Sequence, residues 1–281
     1  MHQSVALRPS LLRSILRVAW RDIKILVRYP TWVISLCVWP VMFPLGYLFT
    51  YRALAGPQNE GLSSFVQLAG TSNYLAYVVS GTILWMWVNV MLWTFGGSLR
   101  NEQLRGTLES NWLAPVDKTF LLIGAALADA AQMMLFMCIA WVEFYLIYGV
   151  WWLGSPWHLG LVILASVPSV YGLGFVFAAL VLWAKQIGVA VNLVRGTMLI
   201  FCGITYPIAV MPGWMVRVAE VIPLTHAIRA TRAVMAGDGL GEIAADLWYL
   251  LLSGALLIAA GLLALRFIQQ RIRCSGTLGH H

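Results

Sequence analysis

Charge is what this 281-residue chain has least of: Asp, Glu, Lys and Arg together make up 10% of it, against about 25% in a soluble domain. So few charges cannot cover a water-facing surface, which excludes an ordinary soluble protein and points to a surface that faces lipid. Lysine occurs only at Lys24, Lys118 and Lys185, and none follows a glycine. A phosphate-cradling Gly-x-x-x-x-Gly-Lys-Ser/Thr loop is therefore absent, and the chain cannot hold ATP in that manner. There is no His-Glu-x-x-His and no Gly-x-Ser-x-Gly, which removes the usual intramembrane protease signatures. The four cysteines (Cys37, Cys138, Cys202, Cys274) show neither disulfide nor metal spacing and read as structural. The basic, amphipathic N-terminal segment has no small-residue cleavage site, so no cleavable signal peptide is expected.

What is present in quantity is apolar sequence. A spanning helix needs about 20 mostly apolar residues, and six segments meet that: Trp32–Thr50, Tyr74–Gly97, Phe120–Val150, Leu159–Trp183, Gly188–Val210 and Leu247–Phe267. The expectation is an all-α integral membrane protein with six transmembrane helices. Pro40 and Pro44 fall in the first and Pro168 in the fourth, where neighbouring helices can satisfy the freed backbone groups. The basic residues sit at segment ends, a pattern that suits membrane topology and not nucleic-acid binding. With the N-terminus inside, the inner flanks collect Arg8, Arg13, Arg17, Arg21, Lys24, Arg28, Arg100, Arg105, Lys118, Lys185, Arg266, Arg271 and Arg273. The outer flanks keep Arg52, Arg217, Arg229 and Arg232. Both termini are expected in the cytoplasm of a bacterial plasma (inner) membrane.

Residues 1–30 form a unit before the first span. Pro9-Ser10 opens a helix on which Arg13, Arg17, Arg21, Lys24 and Arg28 make one stripe and Leu12, Leu16, Ala19, Ile23 and Val27 another. Such a helix lies in the interface, its basic face toward anionic headgroups of membrane lipid. Residues 31–273 hold the spans, and 274–281 read as a tail that includes a tag remnant, Gly279-His280-His281. Residues 211–237, punctuated by Pro212, Pro223 and Gly237, predict two short helices, Gly213–Val221 and Leu224–Ala236, forming an external re-entrant hairpin. On the second, His226, Arg229 and Arg232 share one side.

Between spans two and three, residues 101–115 predict one short helix, capped at Asn101 and ended by Pro115. Leu104, Leu108 and Trp112 form an apolar ridge beside an Arg105–Glu109 pair. Such a ridge suits a groove on a partner, or equally the membrane surface.

The run Glu102-x-x-Arg105-Gly106-Thr107-Leu108-Glu109 with Pro115 resembles the coupling region of ABC-2 type permeases. So do Gly203-Ile204-Thr205-Tyr206-Pro207, Met211-Pro212-Gly213-Trp214 and Pro223-Leu224-Thr225-His226-Ala227-Ile228-Arg229. The order and spacing of these motifs carry the likeness over nearly the whole chain. The resemblance implies a half-transporter: two such subunits dimerise, and each seats its cytoplasmic helix, Glu102 to Trp112, in an ABC ATPase subunit. ATP and Mg would then lie on that partner, with no cofactor bound by this chain and no enzyme activity of its own. Family members export hydrophobic drugs, lipids, lipo-oligosaccharides or polysaccharides, so the cargo implied here is a drug or lipid-like amphiphile, or a glycolipid or polysaccharide. An ion-coupled secondary transporter is the rival from another class; it calls for inverted repeats and broken midplane helices, and no repeat relates the halves.

Ionisable residues within spans are costly and draw attention. Asp129 and Arg195 fall about eleven and ten residues beyond Lys118 and Lys185, at a similar depth, which predicts an intramembrane ion pair. Glu143, some 14 residues further along, reads as an interfacial carboxylate. Trp85, Trp87 and Trp93 flank Asn89 in span two; they read as lipid-facing bulk, or else as an aromatic substrate path. Leu252-Ser253-Gly254, in the sixth span, reads as helix-packing sequence.

Overall fold

The computed structural model describes residues 11–28, 30–55, 62–71, 73–104, 118–149, 154–184 and 187–275. Every regular element among them is helical. In chain order these are α1 (Leu11–Arg28), α2 (Pro30–Ala55), α3 (Leu62–Ala69), α4 (Tyr74–Leu104), α5 (Lys118–Tyr148), α6 (Pro156–Ala184) and α7 (Ile187–Phe201). A 3-10 turn (Ile208–Val210) follows, then α8 (Gly213–Ala219), α9 (Pro223–Ala236) and α10 (Leu240–Ser275).

Four helices among the described residues are long and apolar enough to cross a membrane: α4, α5, α6 and α10, with apolar stretches Tyr74–Gly97, Ile123–Tyr148, Pro156–Val181 and Leu240–Ile268. The expected first and fifth spans are shorter as apolar helices, Cys37–Thr50 and Ile187–Phe201. The fifth differs most. Gly188–Val210 was the expected span, but the helix stops at Phe201 after 15 residues, about 22 Å at 1.5 Å per residue against a hydrocarbon core of about 30 Å. The cause is local. Gly203 takes a left-handed φ of 63°, a conformation a helix cannot continue through, and Pro207 follows in extended backbone, leading into the 3-10 turn.

The chain wraps around α4. This helix packs against α2, α5, α6, α7 and α9, and Val78, Val79, Met91, Leu92 and Phe95 are wholly enclosed. α10 instead lies at the periphery, packed chiefly on α6 and α9, with Leu252, Leu256 and Leu263 outward. An apolar helix that packs along one side and turns the rest of its surface outward is well placed to face lipid.

Glycines set the α6–α10 seam. A Cβ on Gly254 would sit 2.6 Å from both the Pro168 side chain and the Ser169 nitrogen, and one on Gly261 would sit 2.5 Å from the Phe175 Cβ. Ser169 Oγ donates to the Leu250 carbonyl and lies 3.2 Å from Ser253 Oγ. Small residues let two backbones approach in lipid, where apolar side chains alone give no preference for protein over tails. The Leu252-Ser253-Gly254 run is thus packing sequence.

α1 lies along α5. Arg17, Arg21, Lys24 and Arg28 are exposed and Ala19 is buried, yet Leu16, Trp20 and Val27 are exposed as well. Two outward faces of opposite character fit a helix at a lipid–water boundary. α3 was not expected. Its signal was the spacing of Leu62, Phe65, Val66 and Ala69, and Phe65 packs edge-on against Tyr74 and Tyr77 at 5.2 and 5.3 Å.

Candidate functional site

α9 starts and stops for local reasons. Pro223 occupies its first turn, where a missing N–H costs nothing, and Gly237 closes it with φ 99°. The expected helices at 213–221 and 224–236 correspond to α8 and α9, the first ending at Ala219. His226 and Arg229, one turn apart, reach across to Asp246 on α10. His226 Nδ1 lies 2.7 Å from Asp246 Oδ1, and its Nε2 lies 2.9 Å from the Glu220 carbonyl. Arg229 donates through Nη2 to Asp246 Oδ1 at 2.6 Å and through Nη1 to the Glu220 carboxylate at 2.9 Å. Hydrogen bonding to Asp246 pushes the Arg229 guanidinium further up, against the opposing effect of burial. Tyr249 stacks on the His226 ring at 3.8 Å and donates to the Val221 carbonyl.

This polar corner staples α8, α9 and α10 together. Arg229 is half exposed, so screening weakens its ion pairs, whereas the Asp246 side chain is nearly enclosed. Asp246→Ala is expected to lower stability by about 1–2 kcal/mol, because it strands the His226 and Arg229 donors together. Thermal unfolding in detergent checks this, and a double variant Asp246→Ala/Arg229→Ala should be no worse than additive.

Arg232, expected beside Arg229, turns the other way into the bundle. Its Nη2 donates to the carbonyls of Tyr77, Gly203 and Ile204 at 3.0, 2.9 and 2.9 Å, and its guanidinium carbon lies 3.3 Å from the centre of the Tyr77 ring. Its guanidinium is cationic at neutral pH, as arginine is throughout proteins. The cation thus satisfies the Gly203 and Ile204 carbonyls, which the end of α7 leaves without helical donors. Gly81 makes room, since a Cβ there would meet the Ile204 oxygen at 2.5 Å.

In α4 the tryptophans part company. Trp85 and Trp87 are buried, which corrects the reading of lipid-facing bulk, while Trp93 is 46% exposed. Trp85 stacks on Phe43 at 4.9 Å and donates to the Arg195 carbonyl. Trp87 donates to Tyr171 Oη at 3.3 Å. Asn89 is partly buried, and its Oδ1 has no hydrogen-bond partner among the described residues. The four residues therefore do not line a single surface of this subunit.

The expected Asp129–Arg195 ion pair does not form. Asp129 accepts from Tyr171 Oη at 2.7 Å and from Thr94 Oγ1 at 2.9 Å, while the Arg195 guanidinium lies 5.8 Å from the Trp85 ring centre. Equal depth along two helices does not bring two side chains to the same azimuth. Glu143 is partly buried, with Oε2 lacking a partner among the described residues.

Asn101 and Glu102 prolong α4 to Leu104, so Asn101 is not the cap of a separate helix. Apolar sequence had suggested an end near Gly97, but nothing at Ser98–Gln103 breaks a helix. Of the proposed coupling residues, Arg105, Gly106, Thr107, Leu108, Glu109 and Trp112 lie outside the described residues, as do the side chains of Glu102 and Leu104.

Long apolar helices packed around one buried helix, with few ionisable residues inside the apolar stretches, define a multi-pass membrane protein. Residues 44–263 match the family described as ABC-2 family transporter protein. The chain belongs to that family, and as such it is a permease component of an ABC transporter, the partner of an ATP-hydrolysing subunit. No curated protein matches it.

Proposed function

We propose that the chain is the membrane-spanning half of an exporter, working as a homodimer with two separate ATPase subunits that carry ATP and Mg. Both termini face the cytoplasm of a bacterial inner membrane, and α2 and α7 complete six membrane-crossing segments with the four longer helices. The short α7 crosses with help from the backbone after it, whose carbonyls Arg232 holds, since irregular backbone at membrane depth must be satisfied by protein. The α8–α9 pair then forms a re-entrant hairpin in the outer leaflet.

The observation that carries coupling is the length of α4. Its 31 residues reach about 46 Å, while its apolar stretch ends at Gly97. The helix therefore runs on past its apolar stretch to Leu104, on the cytoplasmic side in this reading, and such a continuous helix can transmit ATPase closure to the core of the bundle. The cargo is a hydrophobic or amphipathic molecule.

Co-expression with the ATPase encoded beside it tests this. Glu102→Ala/Glu109→Ala is expected to reduce co-purification, and to cut lipid-stimulated ATP hydrolysis by about tenfold or more, the size of effect that follows from losing charged contacts at an interface. A well-folded chain that captures no ATPase would overturn the reading.

A further inference from the structure

Where α1 packs on α5, with Thr94 of α4 in the wall, the protein forms a half-open cavity of about 150 Å³. One water needs roughly 10–15 Å³ of such space, so the cavity has room for a small organic group. Asp129 forms its inner wall and is 3% exposed. Both of its oxygens accept hydrogen bonds, from Tyr171 and Thr94, yet both donors are neutral. Among the described residues no Lys, Arg or His pairs with it. A buried carboxylate without a cation is costly.

Across the cavity stands Asp22 of α1, already engaged by Arg21 at 2.9 Å. A third group makes the site more than a pair of acids. Gln132 also lines the cavity, and its buried Nε2 has no acceptor among the described residues. The cavity thus presents a carboxylate short of a cation and an amide donor short of an acceptor. A molecule bearing an ammonium group and a nearby oxygen satisfies both. Ile23, Ala125 and Ala128 give the remaining walls an apolar lining, and Leu16, Trp20 and Val27 of α1 are exposed apolar neighbours along the same helix. An alkyl tail therefore has apolar surface to follow toward lipid.

We propose that this cavity binds the ammonium head of an amphiphile, with Asp129 as counter-ion and the Gln132 amide on an oxygen of the same head. The proposal deepens the permease reading by naming the charge of the molecule taken up, and rests on that reading for the word uptake; the binding itself needs no ATPase.

The full chain in detergent micelles is offered phosphatidylethanolamine or phosphatidylglycerol of matched acyl chains, with retained lipid counted by native mass spectrometry. In a separate arm ethanolamine hydrochloride is titrated calorimetrically. Phosphatidylethanolamine is expected to bind about tenfold more tightly than phosphatidylglycerol, and Asp129→Asn to remove that preference. Ala125→Leu, which fills the cavity and leaves every charge in place, should do the same and keeps the test decisive where Asp129→Asn misfolds. Glu143→Gln, farther along α5, should bind as the wild type does. Saturable binding of ethanolamine alone, lost in Ala125→Leu, would uphold the site and assign it to a soluble amine. Equal retention of both lipids without ethanolamine binding overturns the proposal, as does wild-type binding by Ala125→Leu. Binding that follows the proposal in a chain that captures no ATPase would leave the site standing and remove the permease reading alone.

Discussion

Arg232→Ala is expected to be among the most damaging single substitutions in the protein. The guanidinium is the hydrogen-bond donor that holds the carbonyls of Tyr77, Gly203 and Ile204 at once, all three on buried residues. Stranding several buried acceptors costs about 1–3 kcal/mol each, less than additively, so a loss of about 3 kcal/mol or more follows. For a chain of this size that corresponds to a fall of about 6–12 °C in the unfolding midpoint. Arg232→Lys keeps the charge but not the planar fork, and should recover only part of the loss. A midpoint within about 2 °C of wild type for the alanine variant would show that the break after α7 holds without its cation.

The second large effect belongs to the α6–α10 seam. Gly254→Leu is expected to abolish recovery of monodisperse protein, and Gly254→Ala to reduce it sharply, because even the first added carbon meets the Ser169 nitrogen and Pro168 at 2.6 Å. Backbone does not yield as a side-chain tip does, so α10 must move away from α6 and lose the contacts along its one packed face. Ala255→Leu, on the exposed neighbour of Gly254, controls for bulk and should be tolerated. Size-exclusion profiles of the three variants decide the matter; equal recovery of Gly254→Leu and Ala255→Leu would mean that the seam is not a close contact.

Much of the helical order was legible in the chain, and the failures have physical causes. Tyr74–Gly97 and Leu159–Trp183 lie within α4 and α6 because long apolar runs in lipid have only one way to satisfy their backbone. The end of α4 was misplaced because apolar sequence stops at the membrane boundary while a helix need not. α10 begins at Leu240, seven residues before the expected start at Leu247, since Glu242 and Asp246 interrupt the apolar run without breaking the helix. That shift hid Asp246, the partner of His226 and Arg229. Its acidic side chain near the start of a long apolar helix was the available signal. No local pattern, however, could connect it with α9.

Composition and charge placement alone determined that this is a membrane protein built of helices, since no soluble surface can be assembled from so few charges. The family motifs placed it among ABC-2 transporters. Only the tertiary structure decided that α4 is the enclosed centre and α10 the outer helix, that Trp85 and Trp87 are core, and that Asp129 meets Tyr171 and Thr94 instead of Arg195. The reason lies in the solvent: in a bilayer the protein interior and the surroundings are equally apolar, so hydropathy cannot tell an inward face from an outward one. Steric fit and the pairing of the few polar groups settle that choice.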